Sequence, residues 1–227
     1  MAIPVLIIGR SGSGKTYSLK GFNDFSDSIG VISVEKARLP FKSGIKVARI
    51  PKYEDSPNIQ TAAQISQARY SFVERAIKSA KCKTIVIDDS QYLLADEFFD
   101  RAKENGYQKF TDIALNFRNL IHNINNMGED DKIVYFLHHS EDDGAGREKV
   151  KTIGKMLDQN LGGLESMFSV CLMCNTDGNE HWFETQSDGY TPAKSPLGMW
   201  DERKIDNDLK AVAERIREYW QIGAANE

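Results

Sequence analysis

The chain has 227 residues, of which 41% are hydrophobic and 27% are charged, and its formal net charge is −4. This composition is ordinary for a globular protein with one sizeable core. Net acidity excludes binding to nucleic acid through overall charge, so any such binding requires a local basic patch. The sequence contains no apolar run of roughly 18 residues, the length that a membrane-spanning helix needs. No basic segment precedes the first apolar stretch, so we predict no signal peptide.

The three cysteines favour a reducing compartment. Cys82, Cys171 and Cys174 are too few and too unevenly spaced for a disulfide framework. Cys171 and Cys174 have the C-x-x-C spacing of zinc and redox sites, but the apolar segment 168–174 around them predicts a strand. Residues three apart in a strand point to opposite faces, which favours two buried cysteines over a metal half-site. We therefore expect a cytoplasmic protein.

The segment GRSGSGKT at residues 9–16 fits the P-loop pattern. Residues 3–8 before it are apolar and β-branched and predict a buried strand, while residues 16–20 after it can open a helix. A strand, a glycine turn and a helix start bring backbone N–H groups and a positive dipole end to one point, which suits phosphate. Lys15 would reach the β- and γ-phosphates, and Thr16 would bind Mg²⁺. The residues predicted to bind ATP are Gly9, Arg10, Ser11, Gly12, Ser13, Gly14, Lys15, Thr16 and Tyr17.

Two later predicted strands end in carboxylates. Residues 29–35 end in Glu35, and residues 84–90 place Asp88 and Asp89 at the end of a strand that we expect beside the P-loop strand. Ligands of open α/β sheets bind at the carboxyl ends of strands. Asp88 is the predicted Mg²⁺ carboxylate. Glu35 is either the base that polarises the attacking water or a salt-bridging surface residue, and Asp89 is either a second polarising group or a helix N-cap.

Residues 132–139 predict a further strand that ends in His138 and His139. A polar residue at this strand end would lie close to the γ-phosphate and could report its presence. Adjacent strand residues face opposite ways, so only one histidine can do this. The other interpretation is a structural histidine.

Two segments are rich in cations. The segment between Glu35 and Glu54 has no acidic residue and is either a solvated face or a surface for a phosphate or a neighbouring subunit. Its cations are Lys36, Arg38, Lys42, Lys46, Arg49 and Lys52. Residues 140–163 predict a polar, mobile loop that is either solvated or a contact to nucleic acid phosphates. The candidate DNA-binding residues in this loop are Arg147, Lys149, Lys151 and Lys155.

The C-terminal part predicts an extension to the sheet. Residues 166–175 and 181–186 predict a strand pair joined by the turn at 176–179, followed by an arm at 190–201 and an amphipathic helix up to residue 220. No repeat or linker divides the chain, so we predict one domain over residues 1–227. Its predicted fold class is α/β, with three layers, a mostly parallel central sheet, helices on both faces and a C-terminal β-hairpin extension.

The order of GRSGSGKT, VISVEKARLP, TIVIDDS and FLHH resembles the RecA-like ATPase core. More narrowly, nearly the whole chain looks like the small phage-encoded ATP-binding proteins of the RecA-like Sak group of single-strand annealing proteins. By this resemblance Glu35 would be the catalytic glutamate and Asp88 the aspartate linked to Mg²⁺. His139, or else His138, would be the sensor that couples the γ-phosphate to a DNA-binding loop.

The resemblance implies further roles and partners. The loop with Arg147, Lys149, Lys151 and Lys155 would bind single-stranded DNA, and Lys194, followed by Arg203, would reach a neighbour's ATP site. The implied activity is ATP hydrolysis with Mg²⁺, slow without DNA, in phage recombination or strand annealing in the host cytoplasm. A single-strand DNA-binding protein and a second copy of the chain are further candidate partners. Because the P-loop begins at residue 9, we expect no N-terminal polymerisation segment.

Other P-loop functions fit less well. A kinase needs a lid with arginines, and the late loop offers only Arg147; a GTP switch needs an Asn-Lys-x-Asp motif, which the sequence lacks. Asp88 and Asp89 can mimic the acidic pair of an AAA+-like ATPase of phage DNA replication, but we expect no room for the helical lid domain of such motors. A regulator that only binds ATP also stays open, because Lys15 and Thr16 do not prove turnover.

Overall fold

The computed structural model describes residues 1–35, 38–51, 59, 61–128, 131–160 and 162–222. Within these ranges the strands are β1 (Ile3–Gly9), β2 (Ile29–Ser33), β3 (Val47–Arg49), β4 (Thr84–Asp88), β5 (Ile133–Asp142), β6 (Glu148–Val150), β7 (Val170–Thr176), β8 (His181–Glu184) and β9 (Lys204–Asp206). The α-helices are α1 (Ala62–Ser79), α2 (Gln91–Asp100), α3 (Gln108–Asn125), α4 (Met156–Asn160) and α5 (Leu209–Trp220). Two 3₁₀ helices span Tyr17–Ser28 and Leu164–Met167.

The strands form one mixed sheet in the order β3-β2-β4-β5-β1-β7-β8-β9, with β6 paired to β5. Strands β3 through β7 along this order are parallel, whereas the pairs β7–β8, β8–β9 and β5–β6 are antiparallel. Helices α1, α2 and α3 cover one face, and the first 3₁₀ helix and α5 cover the other. This confirms the predicted three-layer α/β fold with a C-terminal hairpin.

The core helices have caps and apolar faces that their sequences explain. Helix α1 begins at a capping box, in which the Thr61 hydroxyl accepts the Gln64 N–H and the Gln64 side chain accepts the Thr61 N–H. The buried face of α3 contains the apolar residues of its helical repeat, Ile113, Ala114, Phe117, Leu120, Ile121 and Ile124. None of the helices within the described ranges is both long and apolar enough to cross a bilayer.

The strand beside the P-loop strand is β5, not β4. Strand β5 pairs with β1 on one side and with β4 on the other, so the expectation that the strand of Asp88 lies next to β1 is wrong. The sequences of β4 and β5 both predict buried parallel strands of similar composition, so the order of these two strands in the sheet is decided by tertiary packing. The register nevertheless aligns the strand ends, because Gly9 pairs with His139 and Ser33 pairs with Asp88.

Two segments continue further than the sequence patterns indicate. The helix expected to open at residues 16–20 is a 3₁₀ helix that runs from Tyr17 to Ser28, with non-helical φ and ψ at Phe25. The segment expected as a mobile loop over 140–163 begins with a β-hairpin, because β5 continues to Asp142 and pairs with β6. Its turn is built by side chains: Asp142 accepts the Gly144 N–H and Asp143 accepts the Ala145 N–H.

Candidate functional site

The P-loop follows β1 and depends on its glycines. Gly12 and Gly14 have φ values of 80° and 103°, which side chains rarely adopt. A Cβ atom at Gly9 would lie 2.6 Å from the Cys174 carbonyl oxygen, and one at Gly14 would lie 2.6 Å from His181 Nδ1. The loop therefore curls against β7 and β8 so closely that only glycine fits at these two positions.

Lys15 is held inside the loop. Its side chain is buried, and its Nζ donates to the Gly9 carbonyl at 2.7 Å and to the Arg10 carbonyl at 3.0 Å. Burial lowers its pKa, an effect opposed by the negative charges around it, among them Asp89 and Asp88. The cationic group thus lies where the P-loop pattern requires it, at the centre of the curled loop.

Thr16 and Asp88 come together although 72 residues separate them in the chain. The Thr16 hydroxyl donates to Asp88 Oδ1 at 2.9 Å. Asp88 is 4% exposed, and burial together with the charge of Asp89 raises its pKa to about 6, while the Thr16 hydrogen bond and Lys15 act to lower it. A hydroxyl and a carboxylate at one point are hard oxygen donors of the kind that Mg²⁺ prefers.

Asp89 and His139 form a second polar pair. Asp89 Oδ1 lies 3.5 Å from His139 Nε2, and the His139 ring packs edge-on against Tyr92. Asp89 has a φ of 58°, an unusual conformation for a non-glycine residue. Strain of this kind is found at functional sites that the surrounding structure holds in place.

The two histidines of β5, which lie within the strand because it continues to Asp142, have separate surroundings. His138 is fully buried beside the Phe117 ring, with its Nε2 donating to the Lys151 carbonyl at 2.7 Å and its Nδ1 lying 2.9 Å from the Ser90 hydroxyl. Burial lowers the pKa of His138 to about 4, so its ring is neutral at pH 7. His138 therefore holds β5 against the returning chain, and His139 is the histidine that faces the pocket.

A pocket of about 470 Å³ lies on the P-loop at this edge of the sheet. Its walls come from the P-loop with the start of the 3₁₀ helix after it, the segment after β2, the end of β4 with the start of α2, β5 and β8. The lining residues are Ser11, Gly12, Gly14, Lys15, Thr16, Tyr17, Arg38, Pro40, Asp88, Asp89, Tyr92, His139 and His181. Its size suits a small-molecule ligand.

Glu35 lies near the pocket but outside its described lining. The backbone after β2 is tied to the end of β4 by the Val34 N–H, which donates to the Asp88 carbonyl at 3.2 Å. Burial raises the pKa of Tyr92, and the charges of Asp89 and Glu35 add to this shift. Of the two candidate bases, Asp89 lines the pocket and Glu35 does not.

Arg10 extends away from the loop towards the β5–β6 hairpin. Its guanidinium binds Glu148 at 2.5 Å and lies 3.9 Å from Asp142. Its backbone carbonyl still takes part in the loop by accepting Lys15 Nζ. Of the nine residues predicted to bind ATP, Gly9, Arg10 and Ser13 are outside the described lining, and Ser13 is buried beneath it.

The predicted DNA-binding cations lie on or after the hairpin in unequal surroundings. Lys149 forms ion pairs with Glu141 at 3.2 Å and with Asp158 at 3.3 Å. Arg147, Lys151 and Lys155 are exposed. Residues 140–163 carry five acidic and four basic side chains, so this region is not cationic overall.

The candidates for action on a neighbouring subunit are both engaged within their own chain. Lys194 exchanges backbone hydrogen bonds with Cys171 of β7. The Arg203 guanidinium lies 2.7 Å from Asp188 and 3.6 Å from Glu184. Their roles at a neighbour's site stay predictions.

Two residues that support the loop were not identified as site residues from the sequence. His181 Nδ1 donates to the Ser13 carbonyl at 2.8 Å, and its ring packs on Tyr17 with centroids 5.6 Å apart. Cys174 Sγ lies 3.1 Å from the same carbonyl, and burial raises its pKa to about 11. Cys171 belongs to the core on the other face, as the spacing predicted, and no cluster of metal-binding side chains occurs among the described residues.

The site fits a nucleoside triphosphate with Mg²⁺. The glycine cradle leaves room for phosphate oxygens against backbone N–H groups, and Lys15 supplies the positive charge. Mg²⁺ is commonly held by one or two protein oxygens together with substrate phosphates, for which Thr16 and Asp88 are the available pair. The donor set therefore agrees with the predicted ligands.

The chain matches a known protein family. A family model described as an AAA domain matches residues 1–197, which include β1 to β8 and every residue of the pocket lining. No curated protein matches this chain.

Proposed function

This chain belongs to the AAA domain family, and we propose that it hydrolyses ATP with Mg²⁺ and uses the nucleotide state to control its binding of single-stranded DNA. The observation that carries the ATPase proposal is the hydrogen bond of 2.9 Å between the Thr16 hydroxyl and Asp88, beside the buried Lys15. A hydroxyl, a carboxylate and an ammonium group meet there at the mouth of a glycine loop. Mg²⁺ bound at this pair would neutralise phosphate charge.

The other residues of the site have separate proposed roles in binding the phosphates, accepting a proton and responding to the γ-phosphate. The N–H groups of the loop and Lys15 bind and orient the phosphates, which is the main source of catalysis in phosphoryl transfer. Asp89 has its carboxylate in the pocket and is the proposed acceptor of the proton from the attacking water. His139, 3.5 Å away, is the proposed group that responds to the γ-phosphate. Glu35 remains the second candidate for the base.

Nucleotide control of a partner is supported by how β5 continues. His139 lines the pocket, and the next three residues of β5, Ser140 to Asp142, form one arm of the hairpin with β6. Arg10 connects the P-loop to the same hairpin through Glu148. Loss of the γ-phosphate can therefore alter the conformation of the hairpin by two routes, through His139 in β5 and through the Arg10–Glu148 ion pair. Single-stranded DNA as the partner rests on the resemblance in motif order.

Binding and turnover assays test this function. We expect Lys15→Ala to lose at least about tenfold in affinity for an ATP analogue, because a charge-assisted contact to phosphate is worth about 1.5–3 kcal/mol. Lys78→Ala is the matched control, since Lys78 is exposed on α1, away from the pocket lining. Undiminished ATP binding by Lys15→Ala would contradict the site.

The partner is tested by titrating single-stranded DNA without nucleotide, with ADP and with a non-hydrolysable ATP analogue. We expect the analogue to give the tightest binding and Lys15→Ala to remove the difference between the three states. Equal affinity of the wild type in all three states would refute nucleotide control. ATP hydrolysis without DNA binding in any state would leave an ATPase with another partner.

A further inference from the structure

The segment between β2 and β3 carries cations that the ATP site does not use. From residue 36 to residue 53 the sequence has six basic residues and no acidic one. Lys36 and Lys52 lie outside the described residues, and the other four are exposed. We call these four the edge strip: Arg38, Lys42, Lys46 and Arg49.

The backbone of the edge strip is anchored, so its cations have fixed positions along the surface. Exposure alternates along the segment, with Leu39, Phe41 and Ile45 packed towards the core. The Phe41 ring contacts Tyr17 edge-on with centroids 6.4 Å apart. The cations between these anchors therefore face outward.

The cations of the edge strip have few partners among the residues that the structure describes. Lys46 pairs with Asp27 at 3.0 Å, but both side chains are more than four-fifths exposed, and such surface pairs contribute little. Arg38, Lys42 and Arg49 form no ion pair with any residue that the structure describes. Lys149 of the hairpin, in contrast, would have to leave two carboxylates before it could bind a phosphate.

The position of the edge strip connects it to the nucleotide. Arg38 lines the pocket, next to Pro40. At the other end, Arg49 is the last residue of β3, the outermost strand of the sheet in the described part of the chain. The strip thus leads from the ATP pocket to the edge of the sheet.

We propose that the edge strip binds the sugar–phosphate backbone of single-stranded DNA and supplies more of the electrostatic affinity than the cations of the hairpin. This inference rests on the proposed function. The strip presents exposed cations along one anchored segment, and three of them, Arg38, Lys42 and Arg49, have no ion pair with a described residue, which suits a polyanionic strand. No described element of the strip has the form of a helix or two-stranded ribbon that would enter a duplex groove. Contacts to phosphate alone imply binding without sequence preference.

The test measures DNA affinity against salt concentration for charge-neutralising variants, with an ATP analogue bound. The strip variant is Lys42→Gln with Arg49→Gln, which leaves Arg38 in the pocket. We expect about tenfold weaker binding at roughly 100 mM salt, and a log–log salt slope reduced by about 1.4, because each phosphate contact on a single strand adds about 0.7. Lys149→Gln with Lys151→Gln should weaken binding by less than about threefold.

Two controls separate charge from folding. Lys103→Gln with Arg118→Gln removes the same charge from two exposed positions, one between α2 and α3 and one on α3, and should leave the slope unchanged. Lys42→Arg with Arg49→Lys keeps the charge and should keep wild-type affinity, and melting curves report whether each variant folds. Loss of affinity in this charge-conserving variant would overturn the electrostatic role.

The outcomes distinguish this inference from the proposed function. A wild type that binds DNA, with an unchanged slope in the strip variant and a reduced slope in the hairpin variant, would overturn the inference alone. Tighter binding of a duplex than of a single strand of equal length would overturn the single-strand assignment. A wild type that binds no DNA in any nucleotide state would refute the proposed partner, and the inference with it.

Discussion

The two walls of the pocket are built on different principles. The wall at the ends of β4 and β5 presents Asp88, Asp89 and His139, and the wall from β7 and β8 presents His181 above Cys174. On the first wall burial and Asp89 raise the pKa of Asp88 to about 6, and Asp89 adopts a φ of 58°. On the second wall His181 and Cys174 both satisfy the carbonyl of Ser13.

The first wall therefore carries the reactive groups of the site, and the second wall stabilises the P-loop. A carboxylate kept charged in a buried position, as Asp88 is, destabilises the folded protein, and the surrounding sheet must hold it there. Hydrogen bonds to a loop carbonyl stabilise the loop and have no chemistry of their own. We therefore expect mutations on the first wall to reduce activity while raising or preserving stability, and mutations on the second wall to lower stability.

The largest expected effect concerns the base. Asp89→Asn should lower kcat for ATP hydrolysis by about 10²–10³, because it removes a proton acceptor that lines the pocket. Glu35→Gln is the matched control and should lower kcat by less than about fivefold, since Glu35 lies outside the described lining. Steady-state phosphate release at saturating ATP measures both. The reverse ranking would assign the base to Glu35.

The next effect is on stability. Asp88→Asn should raise the free energy of unfolding by up to about 3 kcal/mol at pH 7.5 without nucleotide or Mg²⁺, because a pKa raised from 3.8 to about 6 penalises the folded state in full above pH 6. The Asn side chain still accepts the Thr16 hydrogen bond. Below pH 6 the native Asp88 takes up a proton that the unfolded chain does not, so the wild type recovers this penalty as the pH falls.

Urea unfolding at pH 7.5 and at about pH 4.5 checks this sign. The gap between Asp88→Asn and wild type should shrink at the lower pH, where both side chains are neutral in the folded state. Thr84→Val offers no such pH dependence and serves as the control in the same strand. An Asp88→Asn protein that is less stable than the wild type at pH 7.5 would contradict the inference that the buried charge of Asp88 destabilises the folded protein.

The sequence predicted the first wall because each of its residues follows an apolar run that forms a strand. The apolar runs before Asp88 and His139 are local signals, and parallel strands align their ends at one edge. The order of β4 and β5, by contrast, was missed, since both strands are buried on both faces. The role of the adjacent histidines was left open because the alternation of a strand does not tell which face meets the pocket.

The second wall had no comparable local signal. His181 lies 168 residues from Ser13, and it reaches the loop because the register of the β7–β8 hairpin pairs it with Thr176. The turn at 176–179 predicts the β7–β8 hairpin, but nothing in the sequence predicts that this hairpin lies beside β1 and the P-loop. The hairpin of β5 and β6 was mistaken for a loop because its acidic, glycine-containing composition hides turn side chains that bind backbone N–H groups.

The smallest effect that we expect is that of a substitution on the second wall. It tests whether this wall only supports the P-loop. His181→Ala should lower the free energy of unfolding by about 1–2 kcal/mol, the value of a hydrogen bond to Ser13 and a ring contact with Tyr17. His181→Asn retains a donor near the Nδ1 position and should recover part of the loss. Because His181 fixes the loop and takes no proton in turnover, we expect KM for ATP to rise about threefold in His181→Ala while kcat stays within about twofold. A fall in kcat comparable to that of Asp89→Asn would show that the supporting wall takes part in the chemistry.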